Sequence, residues 1–186
     1  MLFRSPLLRA AICHFWFVTL HPFDDGNGRI TRALTDLALA QADRQSIRLY
    51  AMSATILEKR NDYYHILEQS QRKTTNLTPW ILWFLETLEE TLQSSLNKID
   101  RTLAKSLYWQ RQDNIGLSTE QVKVLNRMLD GGEKGFEQGI SASKYQKVAK
   151  VSKATATRHL VDLLEKGYIE KLSSGGRSTR YQIKYS

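Results

Sequence analysis

Twelve residues constrain the chain more than any others: His21-Pro22-Phe23-Asp24-Asp25-Gly26-Asn27-Gly28-Arg29-Ile30-Thr31-Arg32. They bring an imidazole, a carboxylate, a Gly-Asn-Gly turn and two arginines into one short stretch. Glycines allow positive φ and leave neighbouring N–H groups uncovered by side chains. An apolar, helix-like run from Ile30 to Ala40 follows at once. The turn is therefore predicted to sit at a helix N-terminus, where free N–H groups and the macrodipole favour an anion. Arg29 and Arg32 are three residues apart and share one helical face. The pattern reads as a phosphate cradle with a base, His21, and a metal ligand, Asp25, at its lip.

The flanks read as helices. Residues 6–20 begin with Pro6 at a permitted first-turn position and carry Leu7, Leu8, Ala11, Ile12, Phe15, Trp16 and Val18 as apolar surface. His14 on that helix is expected to be packed and hydrogen-bonded rather than catalytic. Residues 47–73 read as helix broken near Lys59-Arg60-Asn61, with Tyr63 and Tyr64 assigned to the core over a base-stacking role. Thr78-Pro79 reads as an N-cap followed by a helix start. Leu85, Leu88, Leu92, Leu96, Ile99, Leu103 and Leu107 then mark a long helix over 79–110 with one apolar stripe. That stripe is expected to pack on the helical bundle, with a homodimer seam as the alternative.

Charge divides the 186 residues unevenly. Residues 141–186 hold ten Lys and Arg against three Asp and Glu, which is +7 of the net +8. A basic end on a near-neutral body suggests two modules, the second with an acidic partner such as nucleic acid. Short helices are expected over 118–129, 143–150 and 153–166, the last capped by Ser152 and stopped by Gly167. Strand-like segments at 168–172 and 180–184 follow. This order resembles a winged helix-turn-helix domain. The resemblance implies double-stranded DNA contact from Lys153, Thr155, Thr157 and Arg158 on the third helix, with His159 near the DNA backbone and Arg177 and Arg180 on the wing. Docking of a protein partner is the other use of such a module. The single Cys13 excludes an intrachain disulfide and fits a reducing cytoplasm. No apolar run approaches the roughly 20 residues of a membrane span, and the start does not read as a signal peptide.

The motif from His21 to Arg32 resembles the Fic family signature, His-x-Phe-x-Asp/Glu-Gly-Asn-Gly-Arg-x-x-Arg, at each defining position. The resemblance implies a mainly α fold: the C-terminal portion of a Fic-type helical bundle over 1–112, followed over 113–186 by the small α+β winged module. It implies transfer of AMP from ATP to a protein Ser, Thr or Tyr hydroxyl. His21 is then the general base and Asp25 the Mg²⁺ ligand. Gly26, Asn27 and Gly28 hold phosphates through N–H groups and the Asn27 amide, and Arg29 and Arg32 hold the outer phosphates. Phe23 is the apolar anchor. Other nucleotides or phosphate esters stay open as donors, and a nucleotide-sensing DNA-binding regulator is the alternative function. Fic proteins carry several helices and a β-hairpin flap before this point, so the chain reads as the C-terminal part of a longer protein. The Glu-Gly or Glu-Asn pair of a restraining helix does not occur in it.

Overall fold

The computed structural model describes residues 5–43, 50–72, 75–112, 116–131, 136, 139–172 and 179–185, with the side chains of 42 and 43 excepted. It is mainly helical. The elements are α1 (Pro6–Leu20), α2 (Asn27–Asp43), α3 (Met52–Glu58), α4 (Arg60–Arg72), α5 (Thr78–Arg111), α6 (Thr119–Leu129), α7 (Ala142–Ala149), α8 (Lys153–Glu165), β1 (Ile169–Lys171) and β2 (Tyr181–Ile183). Two compact units divide the chain, 1–97 and 98–186. The division lies within α5, earlier than the 112/113 boundary read from the sequence. Tyr108 and Trp109, near the end of α5, pack in the second core, which draws residues 98–111 into that unit.

In the first unit α1 and α2 pack closely because small residues line their contact. Ala10 and Ala11 of α1 and Ala38 of α2 are buried, and the Arg9 guanidinium donates to the Ala38 carbonyl at 3.3 Å. Phe15, Leu39, Met52, Ile56, Leu67, Trp80, Phe84 and Leu88 complete this core. Trp80 is fully buried, and its indole N–H donates to the Ala11 carbonyl at 2.9 Å, tying α5 to α1. Of the expected 47–73 helix, 47–49 and 73 lie outside the described residues, and the break falls at Lys59 between α3 and α4.

Two expectations for α5 need correction. Thr78 lies inside the helix rather than capping it: its N–H goes to the Asn76 side chain at 3.0 Å, while the Leu77 carbonyl accepts from Ile81 at 2.9 Å. The buried face runs through Trp80, Phe84, Thr87, Leu88 and Thr91, so it contains two threonines. Leu92, Leu96, Leu103 and Leu107 of the leucine stripe are exposed. Thr91 fits the core because its hydroxyl is bonded to Thr87 O at 2.7 Å and Thr55 Oγ1 at 2.8 Å.

The second unit builds its core from Tyr108, Val124, Leu125, Met128, Leu129, Ile140, Tyr145, Ala149, Ala156, Leu160, Leu163, Tyr168, Ile169 and Ile183. Ser118 and Gln121 form a reciprocal capping box on α6. Ser141 and Ser152 cap α7 and α8. Lys150, left-handed at φ 57°, turns α7 into α8. Strands β1 and β2 pair antiparallel with Ile169 opposite Ile183, and Ile140 adds an isolated bridge to Tyr181.

Candidate active site

The loop between α1 and α2 is shaped by its own side chains. His21 ends α1 in the left-handed region (φ 47°, ψ 54°), with its N–H still bonded to the Phe17 carbonyl at 3.1 Å. Pro22 follows, and a residue before proline is disfavoured in the right-handed helical region. Gly26, at φ +83°, turns the chain into α2, and its carbonyl accepts from the Arg29 and Ile30 N–H groups at 2.9 and 3.0 Å. Asn27 and Gly28 open the first turn of α2, where N–H groups have no intrahelical acceptor. Helix α2 thus starts inside the Gly-Asn-Gly turn, three residues before the Ile30 read from periodicity.

The Asn27 side chain also has a structural job beside the phosphate contact expected of its amide. It is buried at 3% exposure; its Oδ1 accepts the Phe23 N–H at 3.1 Å and its Nδ2 donates to the Phe23 carbonyl. Both ends of the amide therefore help close the 23–27 loop, which leaves one Nδ2 proton and the Asn27 N–H uncommitted by these two bonds. Phe23 is anchored by this backbone clamp rather than by burial: its ring is 51% exposed, with its centroid 6.2 Å from that of Phe17.

Asp25 and Arg29 form an ion pair at 3.2 Å on a fully wet surface, their side chains 91% and 73% exposed. The other Asp25 carboxylate oxygen accepts the Gly26 N–H at 2.6 Å. An exposed pair of this kind is worth at most about 1 kcal/mol, so a ligand can separate it cheaply. Among the described residues no cluster of three His, Cys, Asp or Glu side chains is placed to hold a metal. A single exposed carboxylate still fits Mg²⁺, which binds through one or two carboxylates and takes its other oxygens from water and phosphate. The Arg29 guanidinium lies 3.5 Å from where a Cβ on Gly26 would stand, and that of Arg32 the same distance from one on Gly28. Both cations are thus gathered over the N-terminus of α2.

Arg32 also lines a cavity of about 350 Å³ with Ser53, Ile56, Leu57, Arg60, Tyr63 and Tyr64. Periodicity placed both tyrosines in the core, and the structure separates them. Tyr63 packs against Trp83 and Trp80, at centroid distances of 5.7 and 6.2 Å, and bonds to His14. Tyr64 is 55% exposed, with the Arg60 guanidinium 5.6 Å from its ring centroid. Arg60 and Ser53 were not among the expected site residues. The Arg60–Tyr64 spacing of four on one helix face was the available signal. Burial pushes the Tyr63 hydroxyl up to about 12, reinforced by Tyr64 and partly offset by Arg32.

In the second unit Lys153, Thr157 and Arg158 stand exposed on α8. Thr155 is half-buried and its hydroxyl lies 2.9 Å from Ser152 Oγ, so it completes the helix cap rather than projecting freely. His159, expected at a nucleic-acid backbone, turns inward: its Nδ1 is 2.9 Å from the buried Tyr145 hydroxyl. Arg180 is half-buried immediately before β2, and Arg177 lies outside the described residues.

The fold and site together define a mainly helical protein with an anion-receptive helix N-terminus, a histidine and an exposed carboxylate on its approach. Residues 2–39 match the Fic/DOC family model. Through this segment the chain is similar to the Fic/DOC family. It is similar to the protein adenylyltransferase Fic of Drosophila yakuba, 32% identical over 87 residues, which are 47% of this chain and 16% of that protein. Similarity to the protein of the same name from Nematostella vectensis is 31% over 91 residues, 49% of this chain and 19% of the relative. The chain therefore spans less than a fifth of the length of the curated relatives it matches.

Proposed function

We propose that the chain forms the catalytic loop and nucleotide wall of a protein adenylyltransferase, moving AMP from ATP to a Ser, Thr or Tyr hydroxyl. The observation that carries this reading is the continuity of the site: His21, Asp25, the α2 N-terminus, Arg29 and Arg32 lie on one loop and helix, and Arg32 borders the 350 Å³ cavity. Such a volume falls in the range of small-molecule sites. In the proposed reaction His21 accepts the hydroxyl proton, the hydroxyl oxygen bonds to the α-phosphorus, and the bond to pyrophosphate breaks. An imidazole suits that proton transfer near neutral pH. The N–H groups of Asn27 and Gly28 face the charge that develops on the phosphoryl oxygens. Arg29 and Arg32 hold the outer phosphates by charge-assisted bonds. Mg²⁺ would be held by Asp25 once Arg29 turns to phosphate, and it supplies neutralisation of phosphate charge. The names of the relatives support the same reaction class.

Incubation with α-³²P-ATP and Mg²⁺ tests the reading, with UTP and GTP run alongside to identify the donor. Label on protein should fall at least about 100-fold in His21→Ala, the lower range for loss of a general base. Unaltered labelling by that variant would remove His21 from the role.

A second module reading rests on a separate observation: the exposed Lys153, Thr157 and Arg158 on a Ser152-capped α8 that follows α7 through a tight turn. We infer a winged helix-turn-helix arrangement that binds duplex DNA through α8. Affinity is expected to fall steeply between 50 and 200 mM salt, and Lys153→Ala/Arg158→Ala should flatten that dependence. Salt-independent binding would argue for a protein partner.

A further inference from the structure

We propose that His14 is a positioning residue for the cavity beside Arg32: as a neutral imidazole protonated at Nδ1, it receives the Tyr63 hydroxyl and thereby fixes that wall of the nucleotide site. This rests on the nucleotide reading of the cavity. The argument is one of donors and acceptors. His14 sits on α1 at 1% exposure, with Nδ1 2.9 Å from Thr35 Oγ1 and Nε2 3.0 Å from the Tyr63 hydroxyl. A threonine hydroxyl has one proton to give. Thr35 gives its proton to the Thr31 carbonyl at 2.7 Å, so toward His14 it can only accept. The ring proton must then be on Nδ1, which leaves Nε2 as the acceptor for Tyr63 O–H.

The chain of bonds continues to the cradle. Thr31 donates to the Asn27 carbonyl at 2.7 Å, and Asn27 is the residue that clamps the loop. Tyr63, His14, Thr35, Thr31 and Asn27 thus form one series of buried bonds running from the cavity wall to the start of α2. The remaining neighbours of the imidazole are rings, with Trp80 and Phe84 centroids at 5.3 and 6.0 Å. Burial holds His14 down at about 4, and the Arg32 charge acts in the same direction. A protonated ring would donate from both nitrogens and turn the Tyr63 hydroxyl proton away.

Asparagine places its amide near Nδ1 and glutamine near Nε2, which separates the two halves of the claim. In the full 186-residue chain, His14→Asn and Tyr63→Phe should weaken Mg·ATP binding about tenfold, the loss of one bond's worth of order. His14→Gln should stay within about twofold, and where transfer is measured the change should fall on KM rather than kcat. Equal losses in His14→Asn and His14→Gln, or wild-type binding by a folded Tyr63→Phe, would overturn the assignment. ¹⁵N NMR of the ligand-free protein reads the placement independently: a protonated Nδ1 and a protected Tyr63 hydroxyl proton are expected, the latter lost in His14→Asn. A protonated Nε2 would overturn it. Wild-type protein that binds no ATP would instead overturn the nucleotide reading and leave the NMR result to stand or fall alone.

Discussion

His21 occupies a backbone conformation that costs an L-residue about 1–2 kcal/mol. Strain of this kind persists where surrounding structure enforces it, and it gathers at functional sites. Here the enforcement comes from the bond to Phe17 and from Pro22. His21→Gly relieves the steric cost while adding freedom to the unfolded chain. A net gain of roughly 0.5–1 kcal/mol is expected, a melting temperature higher by a few degrees, with His21→Ala showing no such gain. A glycine variant melting at or below wild type would mean that the loop already compensates the strain. Residue by residue, the motif was legible because its chemistry is concentrated, and His14 read correctly as a bonded histidine. The double use of Asn27 and the exposure of Phe23 were not legible. Both depend on a side chain reaching back four residues to a backbone whose path spacing alone does not specify.

At the scale of elements, helix limits marked by proline and apolar periodicity were readable, and α1 begins and ends where residues 6–20 were expected to. The face of α5 was not. Leucine spacing pointed to Leu92, Leu96, Leu103 and Leu107, whereas the buried side includes Thr87 and Thr91. The Thr91 hydroxyl returns to the Thr87 carbonyl four residues back and so loses much of its cost of burial; there polarity in the sequence concealed a core position. The same device serves Thr31 and Thr35 on α2. Trp80 carries the α5–α1 contact. Trp80→Ala should lower stability by about 3–5 kcal/mol as a large side chain removed from a packed core, read by urea unfolding. Trp80→Phe, which keeps most of the ring volume and loses the bond to Ala11, should cost less. Equal losses would assign the contact to the hydrogen bond instead of the ring.

For the molecule as a whole, the two cores share no side chain among the described residues, and denaturation is not bound to a single transition. Acid should act on the first unit. Burial, with Arg32 in support, holds folded His14 near 4 against an ordinary 6.5. The unfolded chain therefore takes up a proton first as pH falls. The resulting stabilisation is complete above pH 6.5 and is lost between 6.5 and 4, on the order of 3 kcal/mol in all. Tyr63 faces the same ring but stays protonated throughout that range. Thermal melts from pH 7 to 4 on wild type and His14→Gln should differ in slope, the wild type falling more steeply. Parallel curves would place the acid-sensitive group elsewhere. The left-handed His21 also bears on inheritance. In a lineage that still needs the fold but no longer the reaction, relief of the backbone is expected to favour glycine or asparagine there. Such a substitution, with Gly26 to Arg32 intact, would identify descendants that kept an anion cradle after abandoning its chemistry.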